Sequence, residues 1–274
     1  MSLSTNLAYR LCAIDLDETL LGPEHIISEF NIRAIKAASA AGMQVVIASG
    51  RMHESTLKYA LQLGLTGPIV SYNGALVKDP ATGDEWLHHR VPADAAQVVM
   101  QFCQNNDLQL NFYHNGLIYS EHDTDWLQLY THRTGSPYTI CPNLLTAMQG
   151  IEPTKLLIVN TEEYTNRLVA EFKPKFANTL YVTKTTAEYL EFMPLAANKG
   201  SALSLVAEHF GIEQAECIAI GDSYNDIPMV EWAGLGLAVA NAREDLKKAA
   251  DRVIWSNTDD GVGRLLVEVC GLSL

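Results

Sequence analysis

The outer thirds of the chain alternate short apolar segments with amphipathic helical patterns, and this alternation restricts the fold more than any other feature. Apolar segments cover 9–14, 43–48 and 68–70, and helical patterns cover 28–41 and the residues that end at Leu63. Continuous apolar strands separated by helices are typical of a parallel sheet that is covered on both faces. The N-terminal part of the sequence therefore predicts a doubly wound, mostly parallel, Rossmann-like α/β domain.

The same pattern returns near the C-terminus. A helix is predicted over 199–210, and strands are predicted over 216–220, 234–239 and 252–255. Gly211 follows the helical pattern directly, at the position where glycine commonly ends a helix. We therefore expect the two outer thirds of the chain to form one domain.

The middle third has a different pattern. One hairpin is predicted around 79–83 and a second one at Asn115-Gly116, and the strands and helices that follow lack the parallel alternation. Antiparallel strands mixed with helices indicate an α+β arrangement. We expect residues 84–190 to form an α+β cap domain, inserted into a core domain that consists of 1–83 and 191–274.

Composition excludes several classes of function. Lys and Arg number 19 against 32 Asp and Glu, a formal net charge of −13, whereas nucleic-acid binding needs a basic surface. Apolar runs stay well below the roughly 18 residues of a membrane span. The five cysteines form no CxxC pair, which argues against a zinc cluster or a disulfide framework and favours a cytoplasmic protein. We expect neither a nucleic-acid nor a membrane partner.

Polar residues follow several predicted strands at one edge of the sheet. The first strand leads into Asp15 and Asp17, the second into Ser49-Gly50-Arg51, and a later strand into 221–226; Lys199 begins a helix. Ligands of open parallel sheets bind beyond the carboxyl ends of the strands. An ordinary turn explains one such ending, because Asp is common in turns. Four endings together predict a site.

These residue types fit phosphoryl transfer. Asp15 and Asp222 offer the hard oxygen ligands that Mg²⁺ takes together with a substrate phosphate. Ser49, Lys199 and Asn225 offer hydrogen-bond donors to phosphoryl oxygens. A carboxylate can act as the nucleophile, and the second aspartate of the pair, two residues later, is placed to protonate the leaving oxygen and then to activate water.

The motifs resemble those of the haloacid dehalogenase-like phosphohydrolases. The motifs of this family follow a fixed order: DxDxT after a strand, Ser or Thr at the end of a second strand, a Lys, and GDxxxD. In this chain they are Asp15, Asp17 and Thr19, then Ser49 in "SGR", Lys199 in "NKG", and Gly221, Asp222 and Asp226 in "GDSYNDIPM". The "SYNGA" sequence and the large middle third resemble the Cof-type subgroup with a type IIB α/β cap. Ser223 departs from the Asn that Cof-type proteins often have, so its role stays open.

The resemblance implies a role for each motif residue. Asp15 would be the nucleophile and Asp17 the general acid/base. Mg²⁺ would bind the carboxylates of Asp15 and Asp222 and the main-chain carbonyl of Asp17. The residues implied in phosphate binding are Ser49, Gly50, Lys199 and Asn225.

Some assignments have two interpretations. Asp226 is either an acid that orients Lys199 or the metal waters, or a direct ligand of the metal. Ser49 is also a candidate cap of the helix that follows it. Arg51 is structural or functional, and Asn73-Gly74 is either the start of a hairpin or a loop that faces the substrate.

We therefore expect a Mg²⁺-dependent phosphatase that acts on small phosphorylated metabolites, such as sugar phosphates or related cofactor phosphates. A phosphomutase is the alternative within the same chemistry, because an aspartyl-phosphate can be passed to a sugar hydroxyl instead of water. A phospho-receiver is the alternative from another class, but receivers are much shorter and have no inserted cap. The oligomeric state and the physiological substrate stay open.

Overall fold

The computed structural model describes residues 7–273, which form two compact units. One unit contains the described residues up to Leu87 and those from Asn198 onward, and the other is His88–Ala197. The sequence predicted the boundaries at 83/84 and 190/191, a few residues before those of the units. The hairpin around 79–83 explains the first difference, because its second strand lies in the same unit as its first.

Strands and helices alternate along most of the chain. The strands are β1 (Leu11–Ile14), β2 (Gln44–Ile47), β3 (Ile69–Ser71), β4 (Leu76–Lys78), β5 (Glu85–His88), β6 (Leu110–His114), β7 (Leu117–Ser120), β8 (Tyr138–Ile140), β9 (Lys155–Val159), β10 (Leu180–Lys184), β11 (Tyr189–Pro194), β12 (Cys217–Gly221), β13 (Leu235–Ala238) and β14 (Arg252–Val253). The helices are α1 (Glu29–Ala40), α2 (His53–Leu63), α3 (Ala93–Asn105), α4 (Asp125–Thr134), α5 (Leu144–Ala147), α6 (Glu162–Lys175), α7 (Lys199–Phe210), α8 (Ile227–Trp232), α9 (Glu244–Ala249) and α10 (Gly261–Cys270). No helix within 7–273 combines the length and the apolar character needed to cross a membrane.

The first unit is built on a five-stranded sheet in the order β14-β13-β12-β1-β2, and every neighbouring pair is parallel. The predicted parallel α/β core is therefore confirmed. From β1 the chain moves to β2 on one side, whereas β12 lies on the other side and leads to β13 and β14. Right-handed crossovers in opposite directions place helices on opposite faces. The order reverses between β1 and β12, which is where such sheets bind ligands.

The central strands β1 and β12 are buried along their whole length, as continuous apolar runs in a parallel sheet require. Helix α1 is capped by Ser28, whose hydroxyl accepts the N–H of Asn31 at 3.1 Å. Gly64 and Gly211 end α2 and α7 with φ of 70° and 63°, values that favour glycine. These ends fix where the connections to the starts of β3 and β12 begin.

The segment predicted as the third parallel strand pairs differently. Strand β3 is antiparallel to β4 in a separate three-stranded sheet, and a single parallel bridge between Ala48 and Val70 joins it to the end of β2. The reason is the turn at Tyr72, Asn73 and Gly74, where positive φ at three successive residues reverses the chain. Hydrophobic patterning does not reveal such a reversal.

The second unit contains a six-stranded sheet in the order β10-β11-β9-β6-β7-β8, in which every neighbouring pair except β7–β8 is antiparallel. Its apolar core packs side chains of the sheet against α3 and α6, with Phe172 and Phe192 edge to face at 5.3 Å. The predicted turn at Asn115-Gly116 joins β6 to β7. The sequence interpretation did not identify α5, α6 or β8.

Candidate active site

Asp15 and Lys199 meet beyond the carboxyl ends of β1 and β12. Asp15 follows β1 directly, and its N–H donates to the carbonyl of Ile220 at 3.0 Å. Lys199 is the first residue of α7, and its Nζ lies 2.6 Å from Oδ1 of Asp15. Both side chains are buried. A buried ammonium that lost this partner would be strongly destabilising, so the pair fixes both side chains.

Asp226 is the second partner of Lys199. Its Oδ1 lies 2.5 Å from Nζ of Lys199, and its Oδ2 accepts the N–H groups of Asp222 and Ser223, each at 3.0 Å. Gly221 is needed beside it, because a Cβ at position 221 would lie 2.4 Å from Cβ of Asp226. Both oxygens of Asp226 are thus engaged by the protein, which favours the orienting role over a place as a metal ligand.

Asp222 follows β12 and completes a group of three carboxylates. Its Oδ1 accepts a hydrogen bond from the hydroxyl of the buried Thr19 at 3.1 Å. One oxygen from each of Asp15, Asp222 and Asp226 lies within 4.8 Å of the others. Burial, and then the charge of Asp226, raise the pKa of Asp222 to about 7.

The electrostatics of the group favour a bound cation. Burial, followed by the charge of Asp226, raises the pKa of Asp15 well above its ordinary value, although Lys199 acts in the opposite direction. Burial alone would lower the pKa of Lys199, but Asp15 and Asp226 raise it, so the ammonium stays protonated. Three carboxylates face one ammonium, and the excess negative charge is what a divalent cation would neutralise.

Asp17 takes no part in this group of carboxylates. Arg51 holds it with two hydrogen bonds, Nε to Oδ2 at 2.8 Å and Nη2 to Oδ1 at 2.5 Å, and the Arg51 side chain is only 10% exposed. His25 lies 3.5 Å from the same carboxylate, and the ring of Tyr59 lies under the guanidinium. Arg51 is therefore a partner of Asp17. The sequence alone left open whether Arg51 is structural or functional.

Ser49 follows β2 and is fully buried. Its Oγ accepts the N–H of Arg51 at 3.1 Å, so it closes a local turn. The residue that precedes α2 is Met52, and the suggested capping of this helix by Ser49 is therefore wrong. The serine hydroxyl keeps its own proton to donate.

Asn225 lies in the turn after Asp222 and donates its Nδ2–H to Oδ1 of Asn73 at 2.9 Å. Asn73 in turn covers Gly50, since a Cβ at position 50 would lie 2.8 Å from Oδ1 of Asn73. Asn73 thus links two predicted site residues, Asn225 and Gly50. The sequence alone did not decide whether Asn73 belongs to the site. The hints in the sequence were its position at the end of a strand and its place in the "SYNGA" sequence.

Comparison with known proteins identifies the family. Residues 12–266 match the sequence profile of the haloacid dehalogenase-like hydrolases. The "HMP-PP phosphatase" of Serratia proteamaculans is 30% identical over 240 residues, which cover 87% of this chain and 86% of that protein. The 5-amino-6-(5-phospho-D-ribitylamino)uracil phosphatase of Bacillus subtilis is 29% identical over 268 residues, covering 96% of this chain and 98% of that protein.

A solved structure is similar to this chain over nearly its whole length. A crystal structure of a protein from Thermotoga maritima is 33% identical and superposes with a TM-score of 0.88, covering 97% of this chain and 98% of that one. The similarity thus includes both the parallel sheet and the inserted unit.

Proposed function

This chain is an enzyme of the haloacid dehalogenase-like hydrolase family, and from that premise we propose that it is a Mg²⁺-dependent phosphatase that forms an aspartyl-phosphate on Asp15. The observation that carries the proposal is the buried contact between Lys199 and Asp15, at 2.6 Å, beyond the carboxyl ends of β1 and β12. A buried carboxylate held by an ammonium at the point where strand order reverses is placed to meet a ligand. Curated relatives of this chain are named phosphatases.

Asp15 is the proposed nucleophile. Lys199 engages Oδ1, and a second carboxylate oxygen remains for attack on phosphorus. The bond from this oxygen to phosphorus forms while the bond from phosphorus to the leaving oxygen breaks. Water then attacks the phosphorus of the aspartyl-phosphate, which releases inorganic phosphate and restores the carboxylate of Asp15.

The proposed acid and base is Asp17. It gives a proton to the leaving oxygen in the first step and takes one from the attacking water in the second. The two hydrogen bonds from Arg51 fix the orientation of this carboxylate. One of its oxygens must leave the guanidinium for proton transfer, so Arg51 also sets how readily Asp17 becomes available.

Asp15 and Asp222 are the proposed carboxylate ligands of Mg²⁺, together with the main-chain carbonyl of Asp17. The excess of buried carboxylate over ammonium supports a cation here, and the full engagement of Asp226 by Lys199 and two N–H groups leaves it the orienting role. When bound, the ion neutralises charge on the carboxylates and on a phosphate, which allows two anions to approach.

The phosphate would be held by donors from three segments: the loop after β2, the loop after β12 and the start of α7. Lys199 supplies a charge, the hydroxyl of Ser49 and the amide of Asn225 supply neutral hydrogen bonds, and the backbone N–H of Gly50 is the fourth proposed donor. These groups stabilise the charge that develops on the phosphoryl oxygens. Ser49, Gly50 and Asn225 come from loops that follow β2 and β12, and Lys199 comes from the start of α7, so the parallel sheet and its helix determine their arrangement.

We assign selection of the substrate to the inserted unit and expect small phosphorylated metabolites, such as sugar phosphates or phosphorylated cofactor precursors. An inserted domain that excludes water and bulky ligands is a common source of specificity in enzymes. The phosphorylated ribitylaminouracil in the name of the Bacillus subtilis relative is a compound of this size.

The test combines a hydrolysis screen with trapping of the intermediate. Wild type should release phosphate from at least one small ester with Mg²⁺ present, and Asp15→Asn should be inactive. Asp17→Asn, given an activated aryl phosphate that needs little protonation, should accumulate a protein that is heavier by one phosphoryl group, mapped to Asp15 after an acid quench. A label on another residue, or equal loss on good and poor leaving groups without a covalent species, would refute the assigned roles.

A further inference from the structure

The turn formed by Tyr72, Asn73 and Gly74 has a backbone that is costly for its sequence. Its three residues have φ of 50°, 54° and 92°, and two of them carry side chains. A left-handed conformation in a residue other than glycine persists only where the surroundings impose it. Two backbone bonds do so here, from N–H of Tyr72 to the carbonyl of Arg51 at 2.9 Å and from N–H of Asn73 to that of Ser49 at 3.0 Å.

The turn also touches the loop that carries Lys199. A Cβ at position 74 would lie 2.2 Å from the carbonyl oxygen of Asn198, so Gly74 permits contact with the residue that caps α7. On its other side, Asn73 Oδ1 occupies the space next to Gly50. The turn therefore lies between the loop after β2 and the start of α7.

The Asn73 side chain extends this link to a third loop. Its Oδ1 accepts the hydrogen bond from Nδ2 of Asn225 at 2.9 Å. Asn225 is exposed, so packing alone does not restrict its rotamer. A primary amide nitrogen carries two N–H groups, and the bond to Asn73 uses one of them. The other N–H is thereby held in a defined direction.

We infer that Asn73 is a positioning residue that orients the Asn225 amide for binding of the phosphoryl group. The inference rests on the proposed function, in which Asn225 contacts the phosphate. Asn73 does not touch the reacting atoms in this account; it reduces the rotamer freedom that Asn225 would otherwise lose on binding. The strained turn serves to place the side-chain oxygen of Asn73, Oδ1, between Gly50 and Asn225.

Glycine is the substitution that isolates the side chain. Asn73→Gly keeps the turn, because glycine adopts a φ near 54° without a Cβ penalty, but removes the acceptor for Asn225. A purely structural role predicts loss of stability, whereas a positioning role predicts weaker phosphate binding with a thermal midpoint that moves by no more than about 4 °C. Asn115→Gly is the matched control, since Asn115 is an exposed residue with φ of 47° in the Asn-Gly turn between β6 and β7.

The experiment is a double-mutant cycle on Asn73→Gly and Asn225→Ala. Competitive inhibition by inorganic phosphate, measured with an aryl phosphate substrate, gives the inhibition constant for each of the four proteins. Asn225→Ala should raise this constant at least about tenfold, as expected for one lost bond to a charged group, and Asn73→Gly should raise it about three- to tenfold. The double variant should lie within about twofold of Asn225→Ala, because Asn73 acts only through Asn225.

The outcomes separate the two proposals. If wild type hydrolyses phosphate esters but Asn73→Gly matches wild type, or if the two effects multiply in full, the positioning role is overturned and the phosphatase stands. If wild type neither hydrolyses esters nor is protected against heat by inorganic phosphate, the proposed function fails and the inference fails with it. An equal rise in Asn115→Gly would show that the change is not specific to Asn73.

Discussion

Replacement of Lys199 by methionine should produce a stability deficit that grows with pH. The lysine is fully buried, and its Nζ lies 2.6 Å from Asp15 and 2.5 Å from Asp226. Methionine preserves most of the volume but leaves three carboxylates, including Asp222, close together without the ammonium. Breaking a buried ion pair by removing one partner costs about 3–5 kcal/mol.

A proton can replace the missing charge, and this sets the sign of the pH dependence. In wild type the pKa of Asp222 is already raised to about 7, and loss of Lys199 raises the carboxyl pKa values further. The folded variant therefore binds more protons above pH 7 than the unfolded chain does, so its stability falls as pH rises. The deficit relative to wild type should grow between about pH 6.5 and 8.5, by at most about 1.4 kcal/mol per pH unit for each extra proton.

Urea unfolding in the presence of EDTA, at pH 6.5, 7.5 and 8.5, measures this deficit without a contribution from metal. The matched control is the double variant Lys199→Met/Asp226→Asn, which removes one charge of each sign. An asparagine at 226 can still accept the N–H groups of Asp222 and Ser223, so the local backbone contacts are kept. Because the double variant has no excess negative charge relative to wild type, its stability deficit should be nearly independent of pH. A Lys199→Met deficit that is equal at pH 6.5 and 8.5 would show that no proton replaces the charge of Lys199.

Three further outcomes are expected. EDTA should abolish activity and Mg²⁺ should restore it, whereas Ca²⁺ should substitute poorly because its bonds are longer and its coordination number is higher; full activity in EDTA would refute a metal requirement. Arg51→Met and Arg51→Lys should each lower kcat about tenfold or more for alkyl phosphates and less for activated aryl phosphates, because both variants lose the bidentate contact with Asp17. Steady-state kinetics on both ester classes measures this difference. Equal losses on the two classes would contradict a role of Arg51 in proton transfer by Asp17. Burial and then the charge of Lys78 lower the pKa of His53 to about 4, so the unfolded chain takes up this proton before the folded protein does as pH falls from 6.5. Between pH 7 and 5, urea unfolding should show wild type losing about 1–2 kcal/mol of stability that His53→Gln does not lose. Parallel plots of stability against pH for the two proteins would contradict this.

The sequence predicted the parallel core and the loops that carry the site because both depend on local signals. Buried parallel strands are continuous apolar runs, and Gly211 ends α7 as expected, with φ of 63°. Polar residues directly after such strands must lie at one edge, and a helix that leads back to the start of the next strand begins at that same edge, so Asp15 and Lys199 are expected there. These features need no knowledge of side-chain conformation.

The sequence could not predict contacts that depend on side-chain direction. Asp17 is two residues from Asp15, yet its carboxylate turns to Arg51 and His25. The link from Asn225 to Asn73 requires a turn whose left-handed residues include Tyr72, a residue type without a preference for that conformation. Helix α6 went unidentified in a polar segment that contains Pro174 near its end.

The pairing of β1 with β12 also determines when the site can form during synthesis of the chain. Leu11 of β1 pairs with Cys217 of β12, so the central pair of the sheet joins segments on either side of the inserted unit. The inserted unit leaves the ribosome before β12, whereas β1 must wait with one edge bare after it has paired with β2. Domains that depend on such distant pairing fold slowly, because the loop must close before the contacts form. The step that covers the bare edge of β1 is the same step that brings Asp226 to Lys199 and Asp15, so the candidate site forms only once β12 has joined the sheet.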